Sequence, residues 1–421
     1  MSRVPTNGRV ALALIAIGFI AAPLSCSSRS STEGAGLSLA MGDVVLNYGA
    51  IVEASYDDTV TTAEALESAI EAFLANPTSS TFAAAKQAWL AAREPYGQTE
   101  AFRFYRGPID DPKDGLEGLI NGWPLDESYI DYVVDPISGD TVQSGVINDP
   151  QQPITKEALQ SLNEKQAESS ISTGYHAIEF LLWGQDRNQT PSERGGKRPL
   201  SDYVRDGDDS DDDPVARRRL YLQLASELLV EHLRTVQAQW KSTPGSYRAG
   251  FEGDDVKLSL ARIIIGVGSL AASELSGERM KVSLETRDQE DEHSCFSDNT
   301  HRDVFNNAKG IINVYRGSYT RFDGTVVGNG KGLAYLVALA NPTRKAAMDQ
   351  EIATIETGIQ AISDRAENGE PYDQQIKDDT ARADIQAVIE ALERFADLLA
   401  RSAADDLGLT LNFIGPDGEP I

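Results

Sequence analysis

His176 and Glu179 stand three residues apart in the stretch GYHAIEFLLWGQD that begins at Gly174. On a helix, positions i and i+3 share one face, so an imidazole and a carboxylate there can address a single point. A divalent metal could be held that way, or the carboxylate could serve as general base beside a metal-bound water. Tyr175, Ile178, Phe180, Leu181, Leu182 and Trp183 surround the pair, and a helix apolar on nearly all sides is normally buried. A buried carboxylate must meet a cation, a set of donors or a metal. A structural pair, satisfied by an arginine or by backbone donors, therefore stands beside the ligand reading.

The chain has 4 histidines: His176, His232, His293 and His301. His232 lies in LLVEHLRTV beside a leucine stripe and reads as a packing or surface residue. The span Glu285 to Asn307 gathers acids, amides and two histidines with little to bury. There Asp291, Glu292, His293, Asp298 and His301 offer the hard oxygen and imidazole ligands that divalent iron, zinc or manganese accept. A solvated polar loop has the same composition. A third segment, REPYGQTEAFRFYRGPID from Arg93, carries Glu100, Arg103 and Arg106 along an expected helix that Pro95 kinks and Gly107-Pro108 ends. Glu100 could complete a coordination shell, and an arginine could neutralise Glu179.

Most catalytic signatures are missing. The chain has no HExxH, and no HxxEH because Phe180 follows Glu179; it also lacks a GxSxG elbow and a P-loop. A carboxylate-bridged di-iron bundle needs two ExxH pairs, and only Glu290 with His293 has that order. A ferritin-type centre is disfavoured.

The elements that must position these residues are helices. Apolar residues recur at spacings of three and four in Phe82, Ala85, Trp89, Ala92 and Tyr96; in Met348, Ile352, Ile355, Ile359 and Ile362; and in Ile385, Val388, Leu392, Phe395 and Leu399. Leu222, Leu229, Leu233, Val236 and Trp240 repeat the pattern, as do Leu260, Ile264, Val267, Ala271 and Leu275. Such stripes pack side by side in bundles, so the fold class is all-α. A chain of 421 residues with 41% hydrophobic content suits two domains. We expect two related, four-helix-bundle-like domains with long loops, 39–200 and 214–421, joined through the Gly-, Pro- and Asp-rich span Gly184 to Asp213. Asp213-Pro214 is a helix start, and the acidic run from Asp202 lacks the ligand order of an EF-hand and reads as a solvated loop. Tyr132–Val134 and Thr141–Ile147 are expected to form a small hairpin.

Arg3 and Arg9 precede an apolar run from Val10 to Ala22 that is shorter than the ~20 residues a membrane-spanning helix needs. Residues 1–25 therefore read as a signal peptide. Pro23-Leu24-Ser25-Cys26 is similar to a bacterial lipobox, which makes Cys26 a candidate lipidation site, and 26–38 reads as a flexible tether. Of the 2 cysteines, only Cys295 would then lie within the folded chain. A net charge of −27 repels phosphate backbones and anionic headgroups and attracts cations. Nucleic acid is not an expected partner, and any membrane contact is expected through the lipid anchor alone.

Three long motifs in this order, EPYGQTEAFRFYRGPID from Glu94, GYHAIEFLLWGQD from Gly174 and QEDEHSCFSDNTHRD from Gln289, resemble the imelysin-like family and its iron-regulated protein A branch. The second carries that family's GxHxxE. The resemblance spans roughly Leu39 to the C-terminus. It implies two related helical bundles arising by duplication, a functional site near their interface, export to the periplasm or outer membrane, and a link to iron acquisition with an outer-membrane uptake partner. It strengthens the ligand reading of His176 and Glu179; with Glu100 and His293 from the residue reading these are the expected metal ligands, Gly174, Arg103, Asp291, Glu292, Asp298 and His301 are further candidate site residues, and divalent iron or zinc is the expected metal. The family has been grouped with metallopeptidases, in which case Glu179 is the catalytic candidate. A surface module that binds a partner protein is the third reading.

Overall fold

The computed structural model describes residues 31–187, 194–205, 210 and 212–411. Residues 1–25, read as a signal peptide, Cys26 and part of the Asp-rich run lie outside these residues. From Ser31 onward the segment read as a tether is helical.

The spine is α1 (Ser31–Ala75), which buries Val44, Tyr48, Ile51, Val52 and Tyr56. Against it pack α2 (Ser79–Thr99) and α4 (Pro214–Trp240), and α3 (Gly174–Trp183) lies between those two. A second group consists of α5 (Val256–Ser269), continued by a π-helix (Leu270–Lys281), with α6 (Thr300–Arg316), α8 (Pro342–Glu367) and α9 (Asp379–Arg401). The short α7 (Leu333–Ala340) bridges α1, α6 and α8. By packing, α4 sides with α1 and α3 although it follows the 184–213 connection. Its apolar stripe is buried there, and Tyr221 Oη donates to the Ser172 carbonyl at 2.7 Å. Contacts of α6 with α2 and of α1 with α5 join the groups, and one apolar cluster runs from Ala40 to Leu409.

All five stripes are buried, as an all-α fold requires. Local chemistry sets the helix ends. The Thr78 hydroxyl accepts from the Thr81 amide in a capping box, Asp213 caps α4 ahead of Pro214, and Asn341 does the same ahead of Pro342. Helix α1 and the continuous helical run Val256–Thr286, which α5 begins, are long and apolar enough to cross a membrane, yet more than half of each apolar stretch is buried in the core.

Three local expectations need correction. No single helix spans Arg93 to Gly107: α2 passes through Pro95 and ends at Thr99, a 3-10 turn covers Glu100–Phe102, and Arg103 is extended. The cause is Asp110, whose carboxylate accepts the amides of Phe104 and Gly107 and winds the loop so that Phe104 and Arg106 adopt φ of 69° and 58°. The expected hairpin forms, as β1 (Val133–Val134) antiparallel to β2 (Thr141–Val142), but Gly145–Asn148 is helical. A second hairpin, β3 (Ser318–Thr320) with β4 (Val326–Gly328), follows the left-handed Gly317 that ends α6; the sequence reading had no strand there.

Candidate functional site

The helix bearing His176 and Glu179 is buried along its whole length. It begins at Gly174, where φ is +84° and an added Cβ would stand 2.4 Å from the Ile120 carbonyl oxygen. Only glycine tolerates both the left-handed backbone and the close approach. The helix is held from three sides: Trp89 Nε1 donates to the Tyr175 carbonyl at 2.9 Å, Tyr203 Oη to that of Leu181 at 2.6 Å, and Tyr221 Oη to that of Ser172 at the helix entry. A rigid backbone leaves the two polar side chains few alternatives.

Glu179 pairs with His176 through a hydrogen bond. Its Oε2 lies 2.9 Å from His176 Nδ1, and its Oε1 accepts from the Ser297 amide at 2.9 Å and the Ser297 hydroxyl at 2.7 Å. Both carboxyl oxygens are thereby engaged. Burial pushes the Glu179 carboxyl up to about 8 against the opposing Ser297 bonds. Burial, helped by the nearby His293 and Arg93, holds His176 well below the usual imidazole value. Both are neutral near pH 7, and the buried His176 Nε2 has no hydrogen-bond partner among the described residues.

His293 repeats the arrangement from the other helical group. Its Nδ1 lies 2.8 Å from Asp303 Oδ2. Asp303 is fixed by Arg93, which donates to Oδ1 through Nε at 3.1 Å and Nη2 at 2.9 Å, and by the Ser294 hydroxyl. Although burial opposes ionisation of Asp303, the Arg93 charge and the His293 bond outweigh it and keep the carboxyl far below its ordinary value. An ionised Asp303 only accepts, so His293 Nδ1 carries the proton and Nε2 has a free lone pair. Burial and Arg279 hold the His293 imidazole down at about 4, so it is neutral too. The His176 and His293 rings meet edge to face with centroids 4.6 Å apart, and Trp123 packs on both, at 4.9 Å and 6.2 Å.

His293 also lines a cleft of about 610 Å³, whereas His176 is fully buried behind it. One wall is the π-helix, which presents Glu274, Glu278 and Arg279. At ~4.4 residues per turn, a π-helix brings position i+5 back beside i, where α winding would turn it away. Arg279 thus reaches Glu274 at 2.9 Å and, across the interface, Glu100 Oε2 at 2.8 Å. Glu100 is buried and also pairs with Arg103 at 2.7 Å. Burial pushes its carboxyl up, but the Arg103 and Arg279 charges outweigh this and hold it at about 2. Arginines, not an imidazole, are therefore the contacts of Glu100.

The structure divides the remaining predicted residues. Asp291 and Arg103 line the cleft, Arg103 pairing there with Glu117 at 2.9 Å. Glu292, Asp298 and His301 belong to a different buried region: burial and the nearby Asp373 and Asp298 push the Glu292 carboxyl up, Asp298 accepts from the Gly195 amide at 2.8 Å, and His301 Nδ1 sits 3.1 Å from the Asp298 carbonyl. His232 packs with its Nε2 3.1 Å from Gln160 Oε1. Sequence reasoning passed over Asp303, Arg93, Ser297 and Trp123. A charged Arg93 directly after the buried stripe position Ala92 was the available signal for that pair; Trp123 had none.

Among the described residues, no three His, Cys, Asp or Glu side chains converge as a metal-holding group. Two imidazoles, each oriented at Nδ1 by a carboxyl group, match the way metal-binding histidines are usually held. They fit an ion that keeps its other positions for water or a carrier.

The imelysin family model matches residues 52–399. The iron-regulated protein A of Synechococcus elongatus is 27% identical over 354 residues, 82% of each chain. A crystal structure described as an iron-regulated protein A precursor from Parabacteroides distasonis superposes with a TM-score of 0.62 at 20% identity, covering 88% of this chain and 95% of the other. An imelysin-like protein from Psychrobacter arcticum gives 0.58 at 14% identity, covering 91% and 97%. With the family model spanning both helical groups and the His176 and His293 segments, the chain belongs to the imelysin family.

Proposed function

We propose that this protein is exported to the cell envelope and captures a metal ion, or a ligand that carries one, for iron acquisition, with the His176–His293 pair as its binding centre. The observation that carries the reading is the paired arrangement: each imidazole is neutral, each Nδ1 is tied to a carboxyl group, His176 Nε2 is buried without a hydrogen-bond partner among the described residues, and the ionised Asp303 leaves His293 its lone pair at Nε2. Use of His176 as a donor places its proton on Nδ1, directed at a Glu179 carboxylate. The relatives named iron-regulated protein A support the link to iron. Export rests on Arg3, Arg9 and the apolar run before Cys26, with Cys26 as the anchoring residue at the outer membrane and an uptake protein there as partner.

In this reading Glu179 positions His176. A metallopeptidase needs a carboxylate open to a metal-bound water, whereas His176 and Ser297 occupy both Glu179 oxygens. The test is metal analysis of protein purified without chelators, with titration by Fe(II) and Zn(II) of the wild type and of His176→Ala and His293→Ala. Binding that is lost in both variants supports the reading. Wild type that takes up neither metal, or variants that bind as wild type does, would sink it.

A further inference from the structure

The cleft above His293 is lined by more acids than bases. Its two arginines are already committed: Arg103 to Glu100 and Glu117, Arg279 to Glu100 and Glu274. Among the described residues, Glu164, Glu168, Glu278, Glu290 and Asp291 line the same cleft without any ion-pair partner. The carboxyls repel one another: besides burial, Glu274 and Glu168 push Glu278 up, and burial with Glu100 and Glu274 raises Glu117 to about 7 even beside Arg103. Such crowding is relieved by a cation. Solvated surface acids would have the same composition, but this set opens onto His293, which is 4% exposed and has Nδ1 engaged and Nε2 without a hydrogen-bond partner among the described residues. Glu290 is also a wall of a neighbouring cleft of about 650 Å³ to which Glu127 and Asp186 contribute, so the acidic lining continues beyond His293.

We infer that the cleft admits its metal as a hydrated divalent cation and turns away anionic metal chelates, with Glu164, Glu168 and Glu278 supplying the selecting charge. Several uncompensated carboxylates around a low-dielectric cleft raise the local concentration of cations and oppose a polycarboxylate complex by the same potential. The inference rests on the metal-capture reading of the His176–His293 pair. It specifies the chemical form of the cargo, which that reading leaves open.

The experiment compares Fe(II) under anaerobic conditions with ferric citrate by equilibrium dialysis, using the full chain and the triple variant Glu164→Gln/Glu168→Gln/Glu278→Gln. All three positions are exposed, and circular dichroism with the thermal midpoint checks that the variant folds. The expected result is Fe(II) binding by the wild type that weakens on the order of tenfold in the variant and falls with added salt, with no ferric citrate bound by the wild type. Equal uptake of ferric citrate and Fe(II) by the wild type, or an Fe(II) affinity unchanged in a folded variant, overturns the inference and leaves metal capture standing. Failure of the wild type to bind either form overturns both. Should the triple variant not fold, Glu168→Lys alone carries the test, with the same loss of Fe(II) affinity expected.

Discussion

His176 and His293 face each other with ring centroids 4.6 Å apart and ring planes at 76°, each with Nδ1 held by a carboxyl group, Glu179 at 2.9 Å and Asp303 at 2.8 Å. The two come from opposite helical groups, α3 packing with α2 and α4, and His293 entering ahead of α6. An edge-to-face ring pair contributes about 0.5–1.5 kcal/mol, which does not exceed the roughly 1–3 kcal/mol cost of burying His176 Nε2 without a hydrogen-bond partner among the described residues. Shielded by Trp123, His293 offers a free Nε2 lone pair, and His176 offers one once Glu179 gives up its proton and accepts from Nδ1, so the two rings make sense as donors to a shared guest.

If one ion uses both nitrogens, the two histidines must be coupled. His176→Ala and His293→Ala should each weaken Fe(II) or Zn(II) binding by roughly tenfold or more, and the double variant should be scarcely worse than either single one, since the second removal finds the site already broken. Isothermal titration of the four proteins closes the cycle. Losses that add to within about 0.5 kcal/mol would mean separate sites.

Asp303 is predicted to be a stability residue as well as a positioning one. Asp303→Asn leaves the buried guanidinium of Arg93 without its counter-charge, and breaking one side of a buried pair costs about 3–5 kcal/mol. Urea unfolding should show that loss. Metal affinity should fall about 10–100-fold because His293 loses the acceptor that fixes its Nδ1–H. A variant as stable as wild type would mean that the bond Arg93 already donates to Asn121 Oδ1, with the side-chain carbonyl of the introduced asparagine, suffices for the guanidinium.

The all-α class was legible because burial writes itself into spacing: all five stripes are buried. The site was half legible. GxHxxE marked His176 and Glu179, and the polar span 285–307 pointed to His293, but that span is folded in two directions, and nothing in its composition separates His293 from Glu292 and His301. Glu100 read as a possible ligand because, although Arg103 was in view beside it, its second partner Arg279 arrives from the other helical group through a π-helix whose winding the apolar spacing did not reveal. Asp303 pairs with Arg93 from the other helical group, a long-range contact that spacing does not encode.

The glycine of GxHxxE should prove structural. In Gly174→Ala the Cβ would come 2.4 Å from the Ile120 carbonyl oxygen, and φ is +84°. The backbone cost alone is about 1 kcal/mol or more, and the overlap adds to it, because backbone and not a mobile side chain must yield. A markedly lowered thermal midpoint is the expected outcome. Unchanged stability would show that α3 can shift, and with it His176.

Glu100 should contribute to acid sensitivity. Arg103 and Arg279 hold its folded carboxyl at about 2, below the ordinary value, despite burial. A depressed carboxyl stabilises the fold above its unfolded value, near 4.3, and that contribution is lost as pH falls towards the folded value. The full effect is about 3 kcal/mol. Denaturant midpoints of Glu100→Gln against wild type should differ most above about pH 4.3 and converge towards pH 2. A difference constant across that range would assign the loss to packing.

Glu179 decides between capture and hydrolysis. Burial raises its carboxyl to about 8, which by itself would suit a general base working near neutral pH. Geometry argues the other way: Oε1 takes two donors from Ser297, Oε2 is committed to His176, and the residue is fully buried, so a metal-bound water has no free oxygen to reach. Glu179→Gln preserves the shape and one carbonyl acceptor but cannot stabilise Nδ1–H as a carboxylate does. It should lower metal affinity together with His176→Ala, while wild type supplied with Fe(II) or Zn(II) leaves unfolded polypeptide substrates uncut over long incubation. Cleavage by pure wild type that chelator abolishes, and that Glu179→Gln abolishes with metal still bound, would reverse the assignment and make Glu179 the base of a peptidase.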